Sequence, residues 1–452
     1  MRRRVTAGQL TVALLSLGAY AVLAYATPRA HFGQLLGLYS LAFGAYFWLL
    51  WRPLPLGTGL LVALVARLLW LPATPALSDD YYRFRWDGAL VANGQNPYRH
   101  RPDELVPVSD VATEPSPLAA LSSKEARQLY TRLNSPHYYS VYPPVSQALF
   151  GLGHSLFPTT KPGFLLVLRL YILAAETVTA LLLLALLRQF GLPAQRALDY
   201  LLNPLVIVEL SGNLHFEALV ICGVLAALWL LARGRLVLSA GVLAGAIGAK
   251  LLPLLVLPLL LRRLGWRRFL RYTALCLAAV LALFLPFLSA DLLQNLSHSL
   301  DLYFHKFEFN ASLYYLLRLI GYWYTGYNQI ARLGTLLGLA VVVWVLGLIW
   351  LEKRPTLASL PQTLLLTLTG YFALATTVHP WYITSLVAMS VFSRYRYALV
   401  WSALIPLSYA AYQTKTYTEN LGLVGLEYGV VAAVLLWEYF RLKGSVQHSD
   451  TK

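Results

Sequence analysis

The chain has 452 residues, of which 58% are apolar and only 12% charged, about half the charge density of an ordinary soluble domain; one large water-soluble fold is excluded. Its net charge of +16 would suit nucleic acid, but the basic residues sit in short clusters between apolar blocks. That is the pattern that holds Lys and Arg on the cytoplasmic side of a bilayer, so no nucleic-acid partner is expected.

The apolar blocks run unbroken at 10–26, 32–51, 164–187 and 335–351, each long enough to cross a hydrocarbon core of about 30 Å as a helix. Unbroken Leu, Ala and Val lack the alternation of a barrel strand. The expected fold is therefore all-α: a polytopic transmembrane bundle of about 12 to 14 spans, forming a single membrane domain over 1–452. Arg2 to Arg4 ahead of the first block read as the flank of a retained first helix, since no small-residue cleavage site follows. Taking Arg2 to Arg4, Arg52, Arg188 with Arg196, Arg233 with Arg235, Arg262 to Arg271, Lys353 with Arg354, Arg394 with Arg396, and Arg441 with Lys443 as cytoplasmic anchors places both termini inside. The alternation then requires 141–157 and 312–324 to be re-entrant or surface-lying, and 236–249 and 251–261 to be two short arms folded at Lys250. Cys222 and Cys276 lie in apolar segments without metal-ligand spacing, and no metal or cofactor is expected.

In this orientation the polar motifs all fall on the extracytoplasmic side. The first is the long connection 72–140, the only sizeable one, and loops of such length are usually functional. It opens with Ser78-Asp-Asp-Tyr-Tyr-Arg-Phe-Arg-Trp-Asp-Gly88 and continues to Asn93-Gly-Gln-Asn-Pro-Tyr98. Adjacent carboxylates near apolar surface favour a raised pKa on one of them, which suits a base toward a sugar hydroxyl. Asp79 and Asp80 are thus the candidate catalytic pair, while Ser78 reads as a helix cap. Arg83, Arg85, Arg67 and Arg169 run against the positive-inside bias and need anionic partners, either internal carboxylates or a phosphate; Glu176 suits Arg169.

Further along, Asn203-Pro-Leu, Glu209 and the turn Gly212-Asn-Leu-His-Phe-Glu217 follow one span to its exit, with Asn213, His215 and Glu217 as candidate contacts for sugar or phosphate. Lys250 interrupts an apolar run, where a lysine costs about 2.5 to 3.5 kcal/mol at a helix centre, and a phosphate would justify it. Tyr142-Pro-Pro144, Asn310 and His379-Pro-Trp-Tyr382 complete the outer set, the aromatic members also suiting the interfacial belt. No Walker loop or dinucleotide fingerprint is present. An outward-facing membrane enzyme without nucleotide chemistry needs an activated substrate carried in the lipid.

In order, Asp79-Asp80 with Arg83 and Trp86-Asp-Gly88, Gly94-x-Asn-Pro-Tyr98, Tyr142-Pro-Pro144, Asn203-Pro-Leu with Glu209, Asn213-x-His215, Lys250 with Pro253, Phe309-Asn310 and His379-Pro-Trp-Tyr382 resemble the bacterial GT-C superfamily glycosyltransferases. They look most like the polyprenyl-phosphate-mannose-dependent mannosyltransferases, over nearly the whole chain, from about Leu60 to Tyr382. The exit turn reads Gly-Asn-Leu-His-Phe-Glu in place of a Gly-His-x-Asp form. The resemblance implies an inverting transfer of a sugar, with mannose expected, from a polyprenyl-phosphate donor to a glycan or glycolipid acceptor, on the outer face of a bacterial inner (plasma) membrane. It implies Asp79 or Asp80 as base and Lys250 with Arg83 around the donor phosphate. Arg85 is a further candidate at the phosphate, and Asn96, Tyr98, Tyr142, Asn213, His215, Glu217, Asn310, His379, Trp381 and Tyr382 are the candidate substrate contacts. The rival reading is a secondary transporter, which also uses broken helices and buried charge, although no inverted repeat is seen.

Overall fold

The computed structural model describes residues 5–106, 123–414 and 416–449, so the Arg2 to Arg4 anchor and the middle of the 72–140 connection lie outside the described residues. Among the described residues the chain is all-helical, apart from a single bridge between Phe309 and Thr377. Helices satisfy their own backbone groups, as lipid requires. Six are long and apolar enough to cross a bilayer: Ala7–Ala26, Phe32–Trp51, Lys161–Gln189, Trp266–Phe287, Ile330–Leu351 and Leu421–Lys443. The bent pair Pro204–Gly212 and Glu217–Ala232 adds a seventh if it is one span, and shorter apolar helices include Leu56–Leu68, Leu236–Ala249 and Leu360–Leu374. The protein is a helical membrane protein.

The residues pack as two compact units. One comprises Met1–Leu68, Leu186–Glu209 and Phe307–Lys452, the other Leu69–Ala185 and Leu210–Lys306.

In the first unit, Thr6 caps the first helix by accepting the Gln9 amide at 3.2 Å, while Gln9 Oε1 accepts the Thr6 amide at 3.0 Å. This reciprocal pair is a capping box. The Gln9 side-chain amide also donates to the carbonyls of Arg52 and Pro53 at 3.1 and 3.0 Å, so the start of helix Ala7–Ala26 and the end of helix Phe32–Trp51 lie together as an antiparallel hairpin. Other basic segments are tied in pairs within this unit. Arg196 donates to the Ser393 carbonyl at 3.1 Å, Arg396 is ion-paired with Asp199, and Glu438 accepts the Arg396 amide at 2.9 Å.

In the second unit, helices Glu217–Ala232 and Leu236–Ala249 form a hairpin turning at Arg233 to Arg235, held by Ser239 Oγ donating to the Ala227 carbonyl at 2.7 Å. Helix Leu236–Ala249 has 14 residues and stops at Lys250, whose backbone is extended. Its length of about 21 Å is less than a hydrocarbon core, so Lys250 stands at the far end of a short arm from Arg235. The chain continues through a 3-10 turn, Leu252–Leu255. Helices Asp80–Ala92 and Pro144–Leu156 cross so closely that a Cβ on Gly88 would lie 2.5 Å from the Phe150 carbonyl oxygen, and one on Gly151 would lie 2.5 Å from the Val91 side chain. Only glycine permits that approach, and it fixes the helix that carries the paired aspartates.

Candidate active site

Helix Asp80–Ala92 begins one residue later than a Ser78 cap implies. Asp79 occupies the cap position without a side-chain cap bond, and Ser78 Oγ instead accepts the Asp80 amide at 3.3 Å. Neither aspartate is therefore consumed in capping. Asp80 is partly buried, and Asn134 Nδ2 donates to its Oδ1 at 2.9 Å. Removal from water pushes its carboxyl up from 3.8 to about 6, with the neighbouring Asp79 and Glu217 acting in the same direction; the Asn134 bond and the Lys250 charge pull it down.

Lys250 is ion-paired with the buried Glu217 while its own side chain stays about one-third exposed. The exit turn reaches the same region, because Asn213 Oδ1 accepts the Leu77 amide at 3.2 Å, two residues ahead of Asp79. In that turn Leu214 has φ of 64°, a left-handed conformation costly for any side chain beyond glycine and characteristic of functional sites. His215 and Glu217 are buried beside it. Thus Asp79, Asp80, Asn213, Glu217 and Lys250, spread over 172 positions of sequence numbering from 79 to 250 inclusive, are drawn into one charged group. Such a group holds a carboxylate able to take a proton near neutral pH beside a cation able to meet an anion.

Other expected contact residues bond within the protein. Arg83 is buried, its Nε on Asp87 at 2.8 Å and its Nη1 on the carbonyls of Ser135 and Tyr138 at 3.2 and 3.0 Å. Asp87 is fully buried and also accepts from Ser140 Oγ and from Gln147 Nε2 at 3.0 Å. Arg83 is therefore a clamp on the loop 135–138. Arg85 reaches the carbonyls of Pro158 and Thr159, each at 3.3 Å.

The Asn-Pro-Tyr stretch is likewise internal. Asn96 Nδ2 donates to the Phe287 carbonyl at 2.7 Å, and the fully buried Tyr98 donates its hydroxyl to the Tyr142 carbonyl at 2.7 Å. The Tyr142 ring packs edge-on against Phe84 and Phe150. Arg169 is buried, and its guanidinium donates to the carbonyls of Leu71, Ala73, Ser211 and Gly212. Asn134, Ser140 and Gln147 were not singled out by sequence; Asp87 stood in the Trp86-Asp-Gly88 motif without a role, and its place four residues from Arg83 on a helix was the readable signal of their pairing.

In the first unit, Glu209 is fully buried and accepts the hydroxyls of Tyr39 and Tyr409 at 3.1 and 2.7 Å. Arg67 donates to the carbonyls of Ala63 and Leu201 at 3.0 and 2.8 Å. Asn310 is fully buried; its side-chain amide donates to Glu427 at 3.2 Å, and its backbone amide donates to Glu419 Oε1 at 2.5 Å. It acts as a tie between segments. His379, Trp381 and Tyr382 remain partly exposed. The His379 ring lies between Trp381, with centroids 4.4 Å apart, and Phe309, at 4.7 Å, and Tyr382 meets it edge-on at 5.4 Å.

Among the described residues, no three His, Cys, Asp or Glu side chains gather as a metal-binding group.

Residues 5–265, more than half of the chain, match the family described as Alpha-(1->6)-mannopyranosyltransferase, N-terminal domain. The chain belongs to this family. A comparison with individual curated proteins finds no match. Membership makes the protein a membrane glycosyltransferase of a mannosyl-transferring family, with a sugar donor and a glycan acceptor as its partners. It displaces the transporter reading, and it agrees with the GT-C resemblance carried by the Asp79-Asp80 stretch. The matched residues contain the whole Asp80, Glu217 and Lys250 group; Asn310 and the His379 stack lie beyond them.

Proposed function

We propose that the protein transfers mannose, with inversion, from a polyprenyl-phosphate donor to an acceptor hydroxyl on the extracytoplasmic face of a bacterial plasma membrane. The observation that carries the reading is the Asp80 carboxyl, held near 6 beside Lys250. A base works best with a pKa near the operating pH. Asp80 takes the proton of the attacking hydroxyl as its oxygen bonds to the anomeric carbon; the bond from that carbon to the phosphate oxygen breaks, and the polyprenyl phosphate departs with the electron pair. Lys250 offsets the charge of the leaving phosphate, as electrostatic stabilisation of a transition state requires. Glu217 holds the Lys250 ammonium in place through their ion pair. Asp79 raises the affinity of Asp80 for its proton.

The reading keeps both termini cytoplasmic and about 12 to 14 crossings, the long helices being completed by shorter ones and by the two arms meeting at Lys250. A lipid-linked donor supplies activation without a nucleotide, and its phosphate accounts for a lysine at the tip of an apolar arm. The test is transfer by the detergent-purified protein from a synthetic polyprenyl phosphomannose to a mannoside. Wild-type protein gives product and Asp80→Asn gives it at least about 10²-fold more slowly; full activity in Asp80→Asn removes the assignment.

A further inference from the structure

A second built site lies wholly within the first unit. Residues 307–310 are pinned beside 376–378: the Phe309 amide donates to the Thr376 carbonyl at 3.1 Å, and the Val378 amide donates to the Phe309 carbonyl at 2.8 Å. That pairing places Phe309 under His379, and Trp381 lies nearly parallel to His379, 8° between ring planes. The result is a stack of three rings, with the buried Phe309 at one end, His379 in the middle and the partly exposed Trp381 at the other. Tyr417 stands 6.2 Å from Phe309 and is 45% exposed.

Carboxylates border the rings. Glu308 adjoins Phe309 in the chain and accepts the Tyr314 hydroxyl at 2.6 Å, and Glu419 accepts the Asn310 amide and the Tyr315 hydroxyl. Asn310 itself holds a left-handed backbone, φ 46°, at the join between the rings and these acids.

The chemistry differs from that at Lys250. The exposed surface of Trp381 and Tyr417 beside polar groups suits a ligand that is apolar on one face and polar on its edge, and a pyranose ring has those properties, with C–H groups on its face and hydroxyls at its edge. Carboxylates accept hydroxyl hydrogen bonds strongly, and Arg318, ion-paired with Glu308, balances part of their charge. Membership of a mannosyl-transferring family requires a glycan acceptor somewhere on the protein. We infer that the aromatic stack of Phe309, His379 and Trp381, with Tyr417, Glu308 and Glu419 around it, binds the uncharged mannose units of the acceptor glycan. The inference deepens the proposed transferase reading and rests on it only for the identity of the ligand as acceptor.

The test measures binding of a neutral α-mannotetraose to the detergent-purified full chain by saturation-transfer NMR, without donor and in the Asp80→Asn background. Turnover is then not needed, and failure of the donor assignment leaves this result untouched. Trp381→Ala and Tyr417→Ala each weaken binding roughly three- to tenfold, the worth of about one ring contact. Trp350→Ala, which removes a tryptophan 84% exposed elsewhere, leaves binding unchanged and controls for detergent effects. In the active background the same two variants raise the KM for acceptor and leave the KM for donor unchanged, a split that general loss of folding does not produce. Unchanged binding in either variant, or tighter binding of mannose 1-phosphate than of mannose, overturns the inference.

Discussion

Helix Asp80–Ala92 carries two carboxylates, Asp80 and Asp87, seven residues apart and so on one face. Their surroundings differ completely. Asp87 has no exposed surface and is met by Arg83, Ser140 and Gln147, the full set of partners that a buried charge needs. Asp80 is partly buried, receives a hydrogen bond from Asn134, and sits between the negative charges of Asp79 and Glu217. One end of the helix is finished structure. The other holds a carboxylate under tension, which is where a protein keeps groups that must change protonation state.

The sharpest way to break this contrast is to remove each carboxylate in turn. Asp80→Asn lowers kcat by about 10²- to 10⁴-fold, the usual contribution of a general base, and leaves folding intact. Because the folded protein holds the Asp80 proton more tightly than an unfolded chain does, ionised Asp80 costs stability, a cost that sets in above pH 3.8 and is complete above about 6. The neutral amide removes it. Asp87→Ala does the opposite: it strands the buried Arg83 guanidinium and destabilises the fold by about 3 to 5 kcal/mol, which thermal unfolding in detergent reads directly. Should Asp87→Ala fold normally and lose turnover, the two ends of the helix have exchanged roles.

A smaller effect sharpens the Asp80 side. The base must be ionised, so kcat/KM is level above pH of about 6 and falls tenfold per unit below it. Asn134 lowers that pKa through its hydrogen bond, so Asn134→Ala moves the acid limb to higher pH. Asn134 is exposed, and the protein keeps its thermal stability. A limb that stays in place in Asn134→Ala means that the titrating group is not Asp80.

Much of this contrast was legible in the residues, and part was not. Block 32–51 returns as helix Phe32–Trp51, since twenty apolar residues in lipid have few other conformations. The break at Lys250 was readable because a lysine inside an apolar arm marks its end. That one of the adjacent carboxylates would hold its proton tightly was expected from like-charge repulsion; for Asp80 removal from water is the larger cause, with Asp79 adding to it. The direction in which a motif residue faces was not readable. Arg83, Asn96, Tyr98 and Asn310 read as ligand contacts, and each also bonds to carbonyls or carboxylates of its own unit; hydrogen-bonding side chains are the same residue types whether they serve a substrate or a turn. Asn134 gave no local signal at all, because its role depends on a fold-back of 54 residues onto Asp80.

Tyr98 tests that last distinction with the smallest effect. Its ring is fully buried against Phe284 and Phe287, and its hydroxyl donates to the Tyr142 carbonyl. Tyr98→Phe keeps the packing and removes one hydrogen bond, which leaves the Tyr142 carbonyl with the Gln147 side-chain amide as its partner at 3.2 Å. The expected loss is about 1 kcal/mol of stability, with KM for donor and acceptor unchanged. A Tyr98→Phe protein of wild-type stability and raised KM would move the hydroxyl from the scaffold to the substrate, and with it the boundary between the finished end of the helix and the working one.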